Sequence, residues 1–265
     1  MLRIQQLEVS RGHGPHAFRV QLPELALDAG QIVAVTGVSG CGKSTLLETL
    51  GLLLRPTQAQ VFTLGKEAKD IKALYASGRE SELAQWRARN LGFVLQNGGL
   101  LPYLSVWENM VLPRRLLGLP VKADHLDAAI ATLKLERLLN LYPSALSIGE
   151  RQRVAFSRAI AHAPGLVLAD EPTANLDSKS TENLLDMMAR LNRDEHMTFI
   201  FSTHDQRVID RARRVLRLTD GPVGVLAEHR ATAADHTQRV AHQKSVPPST
   251  GMVAPETKSS RRWPP

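Results

Sequence analysis

One cysteine, Cys41, is the whole thiol complement of the 265 residues, which excludes an intrachain disulfide and a cysteine-based zinc cage. Aromatic residues make up only 5% of the chain, and no basic run is interleaved with them. That leaves little for base stacking and argues against a nucleic-acid partner. Long apolar runs are missing too. The longest nearly unbroken one, Leu46 to Leu54, is interrupted by Glu48 and Thr49 and falls well short of the roughly 20 residues that cross a bilayer. The N-terminus, Met1-Leu2-Arg3-Ile4-Gln5, turns polar before the core of a signal peptide can form. The expectation is a cytoplasmic protein that meets a membrane only through a partner. No internal repeat is visible, so one unit is expected and not two in tandem.

What is present is an ordinary globular mixture, 43% hydrophobic and 22% charged, enough for a real core. The formal charge is +7, but six Lys/Arg against three Asp/Glu fall in residues 226 to 265. Residues 221 to 265 hold six of the fifteen prolines with Ser, Thr, Ala and His and no sustained apolar period. Such a segment cannot bury enough surface to offset its ordering entropy, so a domain over 1–220 followed by a disordered tail over 221–265 is expected.

Gln31 to Thr36 is a short β-branched run that ends at Gly37, and Leu46, Leu47, Leu50 and Leu54 follow at helical spacing. The pattern is strand, glycine loop, helix. Further strands are expected at 2–9, 91–95, 166–170, 198–202 and 215–218, alternating with helices at 178–193 and 206–213. This predicts an α/β fold with a mostly parallel sheet covered on both faces. Helical patterns at 105–117, 123–139 and 150–162 predict a helical subdomain, about 97–163, inserted into that core.

Gly37-Val38-Ser39-Gly40-Cys41-Gly42-Lys43-Ser44-Thr45 fits the phosphate-loop pattern G-x-x-x-x-G-K-[ST] in the strand and helix context it requires. Glycines let the backbone curl so that successive N–H groups face a phosphate, and the helix adds its positive end. Lys43 is the point charge expected on the β- and γ-phosphates, and Ser44 the Mg²⁺ ligand.

Five further elements set the class. Leu166-Val167-Leu168-Ala169-Asp170-Glu171 is an apolar strand that ends on two carboxylates, and Leu146-Ser147-Ile148-Gly149-Glu150-Arg151-Gln152-Arg153 is similar to the signature L-S-G-G-[QE]-x-Q-R. Gln96 follows an apolar strand, Asn175-Leu176-Asp177 follows the acidic pair, and His204 lies in Ser202-Thr203-His204-Asp205. In this order the elements over residues 1–219 resemble the ABC ATPase family. The resemblance implies a P-loop NTPase core with N-terminal antiparallel strands, ATP and Mg²⁺ as cofactors, and a head-to-tail dimer of two copies. It places Gly37, Ser39, Gly40, Cys41, Gly42, Lys43, Ser44 and Thr45 on ATP, and Ser44, Gln96 and Asp170 around Mg²⁺. Glu171 becomes the catalytic carboxylate, with Gln96 and His204 beside the attacking water and γ-phosphate. Ser147, Gly149 and Asp177 belong to the face that meets the nucleotide of the second copy. Ser147 three residues ahead of Glu150 also reads as a helix capping box, and both readings hold together because a capped N-terminus is an anion site.

The segment from Gln96 to Asn109, with Leu-Leu-Pro-Tyr-Leu-Ser-Val-Trp-Glu-Asn, resembles the ATPases of lipoprotein-release and macrolide-export systems. That resemblance implies a membrane permease as partner, docked near Leu101, Tyr103, Val106 and Trp107. A soluble regulatory ATPase of the same family is the alternative. Two departures stand out. Ile148 replaces the first signature glycine, and a β-branched residue is disfavoured if that position needs φ > 0. The stretch after the first strand has no aromatic for adenine, only His13 with Phe18 later.

Overall fold

A computed structural model describes residues 1–12, 18–219 and 223–229. Strands β1 (Leu2–Arg11) and β2 (Phe18–Leu27) form an antiparallel pair, and β3 (Ile32–Thr36) leads through the glycine loop into α1 (Lys43–Leu50). Strands β4 (Val61–Leu64) and β5 (Lys69–Asp70), then α2 (Ile71–Ala76) and α3 (Glu80–Asn90), precede β6 (Leu91–Val94). The helical insertion carries α4 (Val106–Leu116), α5 (Asp124–Thr132) and α6 (Ile148–Ile160). The chain then alternates β7 (Leu166–Asp170), α7 (Ser178–Asp194), β8 (Thr198–Ser202), α8 (Gln206–Arg211) and β9 (Arg214–Leu218), and β10 (Val223–His229) follows.

The strands line up as β5-β4-β1-β2-β10-β9-β3-β8-β7-β6. The run from β9 to β6 is parallel throughout, and β5, β4, β1 and β2 pair antiparallel. Strand β10 joins the halves, parallel to β2 and antiparallel to β9. Every residue of β7 and β8 is buried, which is why they read as unbroken apolar runs such as Leu166-Val167-Leu168-Ala169.

Several expectations change. Strand β10 lies beyond residue 220, inside the stretch expected to be a disordered tail, so the ordered domain reaches at least His229; residues 230–265 lie outside the described residues. The helix expected over 123–139 stops at Thr132, where Lys134 takes φ +56°, and resumes only as a single turn over Glu136–Leu138. Strand β2 carries Pro23, which cannot donate to a ladder; the register passes over Pro23 and Gln6, which faces it with φ +47°.

Candidate active site

The carboxyl ends of β3, β7 and β8 meet in one place, the position where open parallel sheets hold their ligands. Gly42 caps α1 in the left-handed region at φ +98°, and a Cβ there would overlap the ring of Phe18. A side chain at Gly37 would come within 2.6 Å of Cys41 Sγ and 2.7 Å of the Leu218 carbonyl. Both positions therefore require glycine. Cys41 is fully buried below the loop, as a small packing residue, while Ser39 and Gly40 form its exposed rim. Thr45 is buried in the first turn of α1.

Lys43 is only 7% exposed, and its Nζ donates to the carbonyls of Gly37 and Val38, both at 2.9 Å. The ammonium is thus held across its own loop. Ser44 Oγ donates to Asp170 Oδ2 at 2.6 Å, and Ser202 Oγ donates to Asp170 Oδ1. A hydroxyl and a buried carboxylate form an all-oxygen donor set of the kind that a hard divalent cation takes.

Glu171 follows directly, in the left-handed region at φ +48°, which costs a non-glycine residue about 1–3 kcal/mol and persists where neighbours over-determine it. Its N–H donates to the carbonyl and Oγ of Ser202, at 3.0 and 3.2 Å. The carboxylate stands 3.3 Å from His204 Nε2. Ser202 therefore serves both acidic residues, a role no local sequence pattern announces.

Gln96 sits exposed in the turn after β6. Arg158, from α6, anchors that turn by donating to the carbonyls of Gly99 and Gly98 at 2.8 and 2.9 Å. Its importance could not be read from sequence, since the two segments are 60 residues apart.

At the start of α6 the capping box is complete: Ser147 Oγ accepts from the Glu150 amide, and Glu150 accepts from the Ser147 amide at 2.8 Å. The Ser147 backbone donation, with that of its hydroxyl, holds the Glu150 carboxyl below its ordinary range. Ile148 is the first helical residue, outside the positive-φ region, so the expected strain at this departure does not arise. Gly149 is the position that cannot change freely, because a Cβ there would lie 2.8 Å from the Asn175 carbonyl. Asp177 caps α7, accepting from Ser180 Oγ at 2.7 Å and from the Ser180 amide at 2.9 Å. Phe18 packs at the base of the phosphate loop, and His13 lies outside the described residues.

Of the four residues expected at a docking surface, Val106 is buried core and Trp107 is half-buried against the helical subdomain. Tyr103 is 71% exposed. Leu101 lines an apolar groove of about 300 Å³ with Phe93, Leu112, Pro113 and Leu116. Asn109, fully buried, pins the 101–105 loop: its Oδ1 accepts from the Leu101 amide, and its Nδ2 donates to the carbonyls of Leu101, Leu104 and Ser105.

The sequence profile of the family described as ABC transporter matches residues 21–174. The lipoprotein-releasing system ATP-binding protein LolD of Idiomarina loihiensis is 41% identical over 224 residues, 83% of this chain and 95% of that protein. The chain belongs to the ABC transporter family. It is therefore the ATP-binding, ATP-hydrolysing subunit of a transporter, the part that drives a membrane permease. The macrolide export ATP-binding/permease protein MacB of Syntrophobacter fumaroxidans is 39% identical over 75% of this chain, which spans 27% of that larger protein. A dimeric bacterial ABC transporter cassette superposes with a TM-score of 0.76 at 29% identity, covering 88% of this chain and 100% of its own. A second structure of that cassette, in a post-hydrolysis state bound to ADP and Pi, superposes equally well. Among the described residues no helix of this ATPase is long and apolar enough to cross a membrane.

Proposed function

We propose that this ATPase binds Mg²⁺-ATP on residues 37–45, hydrolyses it with Glu171, and pairs head to tail with a second copy of itself. Residues 1–220 with β10 form the working domain. The observation that carries the reading is the convergence of Ser44, Asp170, Glu171 and His204 at three neighbouring strand ends. Lys43 and the loop amides hold the phosphates. Ser44, Asp170 and Gln96 hold the magnesium ion, which when bound offsets phosphate charge. Glu171 orients the attacking water and accepts its proton, and His204 steadies both the carboxylate and the γ-phosphate.

The signature turn lies on the helical insertion, and Ser147 spends its hydrogen bonds within its own cap. Its helix end, with Gly149 and the neighbouring Asp177, is presented to ATP on the second copy. Loss of the γ-phosphate removes what the two copies share and opens the pair. The groove lined by Leu101 and the exposed Leu116, with Tyr103 exposed two residues after Leu101, supports a permease segment as the partner that feels this motion. The likeness to LolD and MacB supports a lipoprotein-release or macrolide-export type of machine, on the cytoplasmic face of the inner membrane.

Glu171→Gln should lower ATP turnover by roughly 10²- to 10⁴-fold, the usual weight of general-base catalysis, and accumulate an ATP-bound dimer on size exclusion. Turnover at the wild-type rate would remove Glu171 from this role. Lys43→Ala should weaken ATP binding in a titration by roughly 10- to 100-fold, as expected for lost bonds to a charged group.

A further inference from the structure

The backbone conformation of Glu171 is set from two sides. Ser202 at the end of β8 holds its N–H. Its carbonyl closes a turn by accepting from the Ala174 amide at 3.2 Å, and it also accepts from Gln152 Nε2 at 2.8 Å. Gln152 lies on α6, is only 2% exposed, and its Oε1 accepts from Asn175 Nδ2 at 3.3 Å. Both ends of one buried amide are thus spent on the turn that carries the carboxylate. Among the described residues the Gln152 side chain has no hydrogen bond to the phosphate loop or to the Glu171 carboxylate.

We infer that Gln152 is a positioning residue for hydrolysis, which braces the Glu171–Asn175 turn so that the carboxylate stays aimed while the residue remains in the left-handed region. A strained φ relaxes when one of its restraints is lost, and relaxation here swings the carboxylate away from His204. A misplacement of about 1 Å at a reacting group can cost on the order of 10²-fold in rate. The same side chain joins two halves of the machinery within one copy. Its helix begins at Ser147 and Gly149, which face the nucleotide of the second copy, and its amide ends on the turn that serves the copy's own nucleotide. Closure on one ATP is therefore felt at the carboxylate that cleaves the other. The inference rests on Glu171 being the catalytic carboxylate.

Gln152→Glu keeps the length and the acceptor for Asn175 and removes the donor to the Glu171 carbonyl. In the full chain it should lower kcat for ATP hydrolysis about tenfold or more, leave KM for ATP within about twofold, and leave ATP-dependent dimer formation on size exclusion intact. A role confined to packing of the signature helix would weaken dimer formation and raise KM instead. Wild-type kcat, or a rise in KM matching the fall in kcat, would overturn the inference. Gln152→Met, which keeps the length and fills the buried site without a charge, reads the same split if the glutamate variant does not fold. Glu171→Gln, measured alongside, separates the two ideas: if that variant turns over normally, the catalytic assignment itself is wrong. If Glu171→Gln is inactive and Gln152→Glu is normal, only the positioning role falls.

Discussion

At its first turn helix α6 meets solvent. Ile148 is 60% exposed, and the capping box satisfies only the amides of Ser147 and Glu150, leaving those of Ile148 and Gly149 directed out of the helix end. Thirteen residues later the same helix ends in the opposite surroundings. The Ala161 carbonyl there accepts from Arg114 Nη1 at 2.7 Å and lies 3.0 Å from His125 Nε2, and His162 is buried beside them. A helix end must have its orphan groups met by something. At the C-terminal end the chain supplies a permanent cation from α4, which also suits the helix dipole. At the N-terminal end two amides are left without a partner inside the helix. One end is a fixture, and the other keeps two donors open, which the function proposed above assigns to the nucleotide of a second copy.

Arg114→Met should show the largest effect on this contrast. Arg114 also donates to the carbonyls of Pro120 and Lys122, so its loss removes three bonds to a charged donor, one buried and two part-buried. Urea unfolding should report about 4 kcal/mol of lost stability, within the range for broken buried hydrogen-bond networks. A loss under about 1 kcal/mol would mean that the C-terminal end is not held as described.

Acid tests the same end with a slightly smaller effect. His162 Nε2 donates to the Leu91 carbonyl at 3.2 Å, and among the described residues its Nδ1 has no partner. Burial lowers its pKa to about 4, helped by Arg114 and His125 and opposed by the Leu91 bond. The unfolded chain takes up the proton near pH 6.5, and the folded one does so only near 4. Stability present above pH 6.5 is therefore lost as the pH falls through that window, about 3 kcal/mol by pH 4. His162→Leu should flatten the decline between pH 6.5 and 4.5 in urea titrations; an unchanged slope would assign it to other groups.

How far these features were legible depends on whether their cause is local. Strands β7 and β8 were readable to the residue because both faces are buried, which makes every position apolar. The phosphate loop, the acidic pair and the capping box were readable because each is one continuous segment with a fixed spacing. Strand β2 was hidden by Pro23, and β10 by following a sharp change in composition, although its pairing with β2 and β9 holds it in the sheet. For Arg158, Ser202 and Gln152 no local pattern announces the contact, because their partners lie 19 to 60 residues away and only the fold brings them to the Gln96 turn and the turn of the two carboxylates. Asn109 works within eight residues of itself, but nothing in the spacing shows that its amide is buried under the 101–105 loop. The resemblance also drew attention to the glycine missing at 148, whereas the backbone there is helical and the close approach of Asn175 falls on Gly149.

At the open end Gly149→Ala should lower ATP turnover roughly tenfold, because a Cβ that meets the Asn175 carbonyl must shift the helix end or the turn behind it. Helix propensity favours alanine, so a stable chain with reduced turnover is expected, and normal turnover would show that the end tolerates movement.

Ile148→Gly is the smallest and most pointed perturbation. The backbone at 148 is already helical, so glycine relieves no strain, and little buried surface is lost from a side chain that mostly faces solvent. If the site consists of the amides at this helix end, turnover and ATP-dependent dimer formation should stay within about threefold of wild type, a change of less than about 0.7 kcal/mol. A tenfold gain in either would mean that the isoleucine side chain obstructs the second copy's nucleotide, so that the open end of α6 is restrained by its own sequence. A tenfold loss would mean that the side chain itself makes contact across the pair, and the N-terminal end would then be as much an apolar surface as an anion site.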